Sequence, residues 1–234
     1  MKLGSNTEKC FTFISTQLSP PAPAKHHSRP RPAVTLSRQS GSGAMKIANL
    51  LADYLQDRCP ERCPWTIFDR NIVEKVFEEH HLPKSLAKFM PEDRISAIQD
   101  MMEELLGLHP PSWTLQRQTT ETIAHLAQLG HVILIGRASN IITRQMENVL
   151  HVRLVAPLET RVARVMERSK TTRAAALELL KKEDLGRKRY LKDNFEADVD
   201  DPLLYDMVIN TARLAPETVA HLIGDAVLHR VRVA

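Results

Sequence analysis

The chain has 234 residues, 43% of them hydrophobic, which suits one domain of roughly 200 residues with a tail. Its net charge of +4 is modest for a dedicated nucleic-acid binder, and no apolar run reaches the roughly 18 to 20 residues of a membrane span. Three cysteines, Cys10, Cys59 and Cys63, are an odd number without a second ligand cluster, which excludes a disulfide scaffold and leaves a cytoplasmic protein with reduced thiols as the expectation.

Residues 1–32 carry Pro20, Pro21, Pro23, Pro30 and Pro32 beside Lys25, His26, His27, Arg29 and Arg31, with almost no apolar period. They read as a disordered basic tail, and residues 33–232 as the folded domain. Ala33-Val34-Thr35-Leu36 is then a short apolar run that breaks at Ser37-Arg38-Gln39-Ser40-Gly41-Ser42-Gly43 and resumes as a helix with Ile47, Leu50, Leu51, Tyr54 and Leu55 on one face. Strand, small-residue loop and helix in this order can present backbone N–H groups to a phosphate at the positive end of the helix. The Walker pattern G-x-x-x-x-G-K-[ST] is incomplete, because Arg38 replaces its first glycine and Ala44 its lysine. An ordinary strand-to-helix turn is the competing reading of the same residues.

Trp65 to Phe68 reads as a buried strand, ending at Asp69, which is either a helix N-cap or a ligand for sugar, metal or substrate. A helix with Ile72, Val73, Val76 and Phe77 should follow, within a helical insertion over about 70–130 that reads as a substrate lobe or a structural hairpin. His131 to Ile135 has the continuous apolar character of a central parallel strand, and Gly136-Arg137 sets a planar cation at its tip. Val149 to Val155 is another strand. The helix after Pro157 has an apolar face of Leu158, Val162, Val165 and Met166, with Arg161, Arg164 and Arg168 on the opposite side, facing either an anion or water. A second basic helix runs from Arg173 to about Lys192, so that residues 153–192 hold 12 Lys or Arg against 5 acids, whereas 193–206 hold 6 acids and no base. Such a basic hairpin suits a polyanionic ligand and reads as a lid over about 158–192. Tyr205 to Thr211 supplies the last strand, and Val219, Leu222, Ile223, Ala226 and Val227 mark a closing helix. The alternation predicts an α/β fold with a parallel sheet of about five strands and helices on both faces.

The ordered series Ser37-Arg38-Gln39-Ser40-Gly41-Ser42-Gly43, Phe68-Asp69-Arg70, Ile135-Gly136-Arg137-Ala138-Ser139-Asn140, Val155-Ala156-Pro157 with Arg161 and Arg164, Asp184-Leu185-Gly186-Arg187, Asp201-Pro202 with Tyr205-Asp206, and Ile209-Asn210-Thr211 resembles the cytidylate kinase-like family of P-loop nucleoside monophosphate kinase relatives. The resemblance spans about residues 33–228. It implies a P-loop kinase-type three-layer sandwich that transfers the γ-phosphoryl of ATP, with magnesium, to a nucleoside monophosphate such as CMP or dCMP. By the same resemblance, Arg38, Gly41, Ser42, Gly43 and Ala44 lie at the donor phosphates, while Asp69, Arg137, Asp184 and Arg187 bind the acceptor. Arg161 and Arg164 are expected to neutralise the transferring phosphoryl group. Lys46, read as standing in the place of the magnesium-binding Ser or Thr, is expected to swing back for the missing lysine. Two other classes compete: a catalytically silent nucleotide-binding protein with this fold, favoured by Ala44, and a nucleic-acid binder, disfavoured by an aromatic content of 5% that offers no stacking platform.

Overall fold

The computed structural model describes residues 31–59, 64–69, 120 and 123–233. The tail over 1–30, the helix expected from Ile72 to Phe77, most of the insertion over about 70–130, and Cys10 and Cys63 lie outside the described residues. The described residues form five strands: β1 (Ala33–Arg38), β2 (Thr66–Phe68), β3 (Val132–Ile135), β4 (Val149–Val155) and β5 (Met207–Asn210). Between them lie α1 (Ala44–Arg58), α2 (123–129), α3 (Ser139–Ile142), α4 (Leu158–Ser169) and α5 (Arg173–Phe195), and α6 (Pro216–Val233) closes the chain.

All pairings are parallel and the strand order is β2-β3-β1-β4-β5. The expected parallel sheet of about five strands is therefore present. Parallel strands covered on both faces must be apolar at nearly every position, and Val132–Ile135 is buried throughout, as is β4 up to Leu154. The main core joins Val34, Leu36, Ile133, Val152 and Leu154 of the sheet to Ile47, Leu51 and Leu55 of α1 and Ile223 and Val227 of α6.

Register fixes what the sheet presents at its carboxyl edge. Leu36 pairs with Ile135 on one side and Val152 on the other, so the chains leaving β1 and β3 emerge side by side. From β1 the chain runs towards β2, and from β3 it crosses to β4. Connections that depart in opposite directions open a crevice between β1 and β3, the place where open α/β sheets bind ligands.

Two buried polar residues, His151 and Arg153, break the apolar rule within β4. The His151 side chain is buried, with Nδ1 2.8 Å from the Thr35 hydroxyl, while its backbone N–H donates to Asp206 at 2.8 Å. Burial holds its pKa below the usual histidine value, against the pull of Asp206 and with a push from Arg230. A depressed base binds its proton less readily folded than unfolded, so the contribution to stability is constant at high pH and is lost as pH falls through the unfolded value of about 6.5. Urea unfolding at pH 7.5 and 5.5 should show a larger acid penalty for the parent than for His151→Gln.

Candidate functional site

The loop after β1 is built by close approach. Its turn closes with the Ser42 N–H donating to the Gln39 carbonyl at 3.2 Å, and Gly43 caps α1 in the left-handed region with no side-chain cap. The first N–H groups of this 15-residue helix therefore face the loop without an intrahelical partner. At Gly41, φ is +77°, and an added Cβ would lie 2.9 Å from the backbone oxygen of Arg161. The glycine lets α4 seat directly on the loop. Within it, the Ser42 hydroxyl is buried, 1% exposed, and has no hydrogen-bond partner among the described residues.

Arg161 and Arg164 hold that loop from α4. Arg161 is 9% exposed; its Nε donates to the Ala156 carbonyl at 3.0 Å, and its Nη1 to the Ser40 carbonyl at 3.2 Å and to Asp184 at 2.5 Å. Arg164 donates from Nη1 to the Ser42 carbonyl at 3.1 Å and to the Thr211 hydroxyl at 2.9 Å, and from Nη2 to the Thr211 carbonyl at 2.7 Å. Arg161 and Arg164 thus lie against protein while Arg168 is exposed, and on the apolar face Val162 and Val165 are buried against Ala176 and Leu180 of α5, with Leu158 alone 41% exposed. A helical wheel assumes that charge turns to water, and here the loop offers carbonyl acceptors instead.

α5 brings acids to the same loop. Asp184 accepts from the Ser40 N–H at 2.7 Å and from Arg187 at 3.0 Å, and the adjacent Glu183 accepts from the Ser40 hydroxyl and, at 3.0 Å, from Arg187. Burial works against the Glu183 carboxylate, yet hydrogen bonds from Ser40 and Arg187 hold its pKa below the usual range. Glu183 and Thr211 join the site beyond the residues expected from sequence; for Glu183 the signal is the pair of adjacent acids that interrupts the basic run after Lys181-Lys182.

Lys46 is placed elsewhere. Counted from Gly43, Ala44 stands at the lysine position and Met45 at the Ser/Thr position, so Lys46 lies one residue past the magnesium-binding place expected for it. Its ammonium is 3.7 Å from Glu217 of α6, with both side chains more than half exposed.

A second group of cations lies across the crevice. Gly136, Arg137 and Ala138 have φ of +81°, +55° and +54°, a left-handed turn closed by the Ser139 N–H donating to the Gly136 carbonyl at 3.1 Å. Each non-glycine residue there costs roughly 1–2 kcal/mol, and Ala138 is held in place by Leu191 and Val199. Arg38 reaches this turn: an added Cβ on Gly136 would sit 1.9 Å from its Nη1. Burial first, then the charges of Arg187 and Arg137, push the Arg38 pKa down to about 10, with Asp69 and Glu183 opposing. It therefore stays charged at neutral pH. The site thus gathers Arg38, Asp69, Arg137, Asp184 and Arg187, whereas Lys46 lies apart.

Below the loop, the buried Arg153 donates to the Ser37 hydroxyl at 3.1 Å and to Asp200 at 2.7 Å, with its guanidinium 5.6 Å from the Tyr205 ring centroid. That arrangement ties the end of β1 to the acidic segment before β5. No cluster of three His, Cys, Asp or Glu side chains able to hold a metal occurs among the described residues, nor is any described helix long and apolar enough to cross a membrane.

Residues 33–213 match the profile of the cytidylate kinase-like family. Among curated proteins, the chain is 27% identical over 197 residues to a cytidylate kinase of Halobacterium salinarum, covering 83% of this chain and 88% of that one. It is 25% identical over 165 residues to a cytidylate kinase of Pyrococcus horikoshii, covering 70% and 82%. Among solved structures, an uncharacterized protein from Eubacterium ventriosum superposes with a TM-score of 0.61 at 19% identity, over 84% of this chain and 98% of that one. This last likeness concerns the fold.

Proposed function

Since the chain belongs to the cytidylate kinase-like family, we propose that it transfers the γ-phosphoryl group of ATP to a nucleoside monophosphate, CMP being the acceptor that its relatives' names favour and dCMP its deoxy counterpart. The observation that carries the reading is the Ser42 hydroxyl, buried inside the loop that caps α1 without a partner among the described residues. A buried hydroxyl left unpaired costs about 1–3 kcal/mol, and a phosphate oxygen at the helix N-terminus would satisfy it. Gly41, Ser42, Gly43 and Ala44 supply the backbone of this cradle, and Arg161 and Arg164 keep it in shape while standing next to the transferring group. Asp69, Arg137, Asp184 and Arg187 surround the acceptor's side of the crevice.

Phosphoryl transfer depends on in-line placement and on cations around the equatorial oxygens rather than on covalent help from the protein. Met45 offers no hard oxygen at the usual magnesium position, so the residues fit an ion carried on the nucleotide's phosphates and held by few protein groups. Magnesium would supply charge neutralisation between the phosphates.

A second reading, a nucleotide-binding protein without turnover, is favoured by the engagement of Lys46 with Glu217. One experiment separates the two. Purified protein with ATP, magnesium and each nucleoside monophosphate in turn should yield ADP with one acceptor at least. Thermal stabilisation by ATP without ADP from any acceptor would refute the kinase reading and leave the silent one.

A further inference from the structure

The first residue of the loop, Arg38, belongs by sequence to the donor cradle, but its guanidinium lies elsewhere. The side chain leaves the end of β1 and crosses to β3, where Nη1 would be only 1.9 Å, and Cζ 3.0 Å, from a Cβ on Gly136. Arg137 follows that glycine in the left-handed turn, and its charge acts on Arg38, as do those of Arg187, Asp69 and Glu183. Among the described residues, neither the Arg38 nor the Arg137 guanidinium makes a hydrogen bond or an ion pair. By contrast Arg161, Arg164 and Arg187 each donate to protein oxygens.

Resting on the phosphotransferase reading above, we infer that Arg38 binds the phosphate of the acceptor and not that of the donor, forming with Arg137 a two-guanidinium clamp across the crevice between β1 and β3. Two forks with open donors match the oxygens of a dianionic phosphomonoester, which accepts several charge-assisted hydrogen bonds at once. The clamp therefore selects an acceptor that already carries a phosphate and discriminates against a free nucleoside. Gly136 is part of the device, because any side chain there would occupy the position of the Arg38 guanidinium.

The test is calorimetric binding, in the absence of turnover, of CMP, cytidine and ATP to the full chain and to Arg38→Gln, Gly136→Ala and the double variant. For Arg38→Gln the CMP Kd should rise about tenfold or more while the ATP Kd changes less than about threefold, as expected for loss of one charge-assisted contact. Cytidine, without the phosphate, should be indifferent to the substitution. Gly136→Ala should weaken CMP in the parent background but add nothing once Arg38 is gone, because both changes remove the same contact.

A loss of ATP affinity with CMP unchanged would return Arg38 to the donor cradle. Equal losses for all three ligands, with a lowered Tm, would make it a structural residue. Either result overturns the inference and leaves the kinase reading standing. If the unsubstituted protein binds ATP but neither CMP nor any other nucleoside monophosphate, the acceptor class fails first and the clamp fails with it.

Discussion

Arg161→Ala should destabilise the fold by about 3 kcal/mol, the lower end of the range for removing one partner of a buried ion pair. Three acceptors lose their donor together: the Ala156 carbonyl, the Ser40 carbonyl and Asp184. The loss stays near the lower end because Asp184 keeps the Ser40 N–H and Arg187. Lysine should not rescue the position, since a single ammonium cannot reproduce the fork that serves a helix-preceding carbonyl through Nε and the loop through Nη1. Adding Asp184→Asn to Arg161→Ala should cost less than Asp184→Asn costs alone, because the ion pair with Arg161 is already gone and the amide oxygen still accepts from Ser40. Urea unfolding midpoints of the four combinations measure this coupling. A full additive loss in the double variant would mean that the arginine acts on the loop carbonyls alone. The same variants should lose ATP-induced thermal stabilisation in proportion, since the cradle is shaped by Arg161 from beneath.

Much of the fold was legible because it obeys local rules. Val149 to Val155 has the strand bounds expected from its apolar run, and strand, loop and helix follow in order from Ala33 to Arg58. Differences at other strands are end effects: Trp65, His131, Tyr205, Asp206 and Thr211 lie just outside the ladders. α5 continues to Phe195, beyond the expected Lys192, because Glu196 ends it in a left-handed cap. The site was less legible, for tertiary reasons. The spacing of Arg161 and Arg164 gives their side of the helix but not what covers it, and the cover is a loop more than a hundred residues earlier. Arg38 has a long side chain at a strand end, so its sequence position does not tell which side of the crevice its charge serves. A left-handed turn through Arg137 and Ala138 has no local signature either, since non-glycine residues enter that region only when packing compels them.

That turn separates stability from function at Arg137. Arg137→Gly should lower kcat/KM for phosphoryl transfer by about a hundred- to a thousandfold, the usual consequence of removing one fixed donor from a charge-developing site. Its effect on folding should have the opposite sign or be absent. Glycine relieves roughly 1–2 kcal/mol of left-handed strain and returns about 0.5–1 kcal/mol to the entropy of the unfolded chain, for a net gain of about 0–1.5 kcal/mol. Arg137→Ala keeps the strain, because alanine has the same Cβ, and should match the glycine variant in activity but not in its unfolding midpoint. Steady-state turnover with ATP and CMP, set beside urea unfolding of the same preparations, reads both quantities. Should the glycine variant lose stability and activity together, the strained backbone would have to be serving the fold, and the case for Arg137 as a residue poised for substrate would fail. A stable variant that turns over normally would exclude it from the acceptor site outright. The expected pairing, a sounder fold with a poorer enzyme, is the mark of strain retained for chemistry.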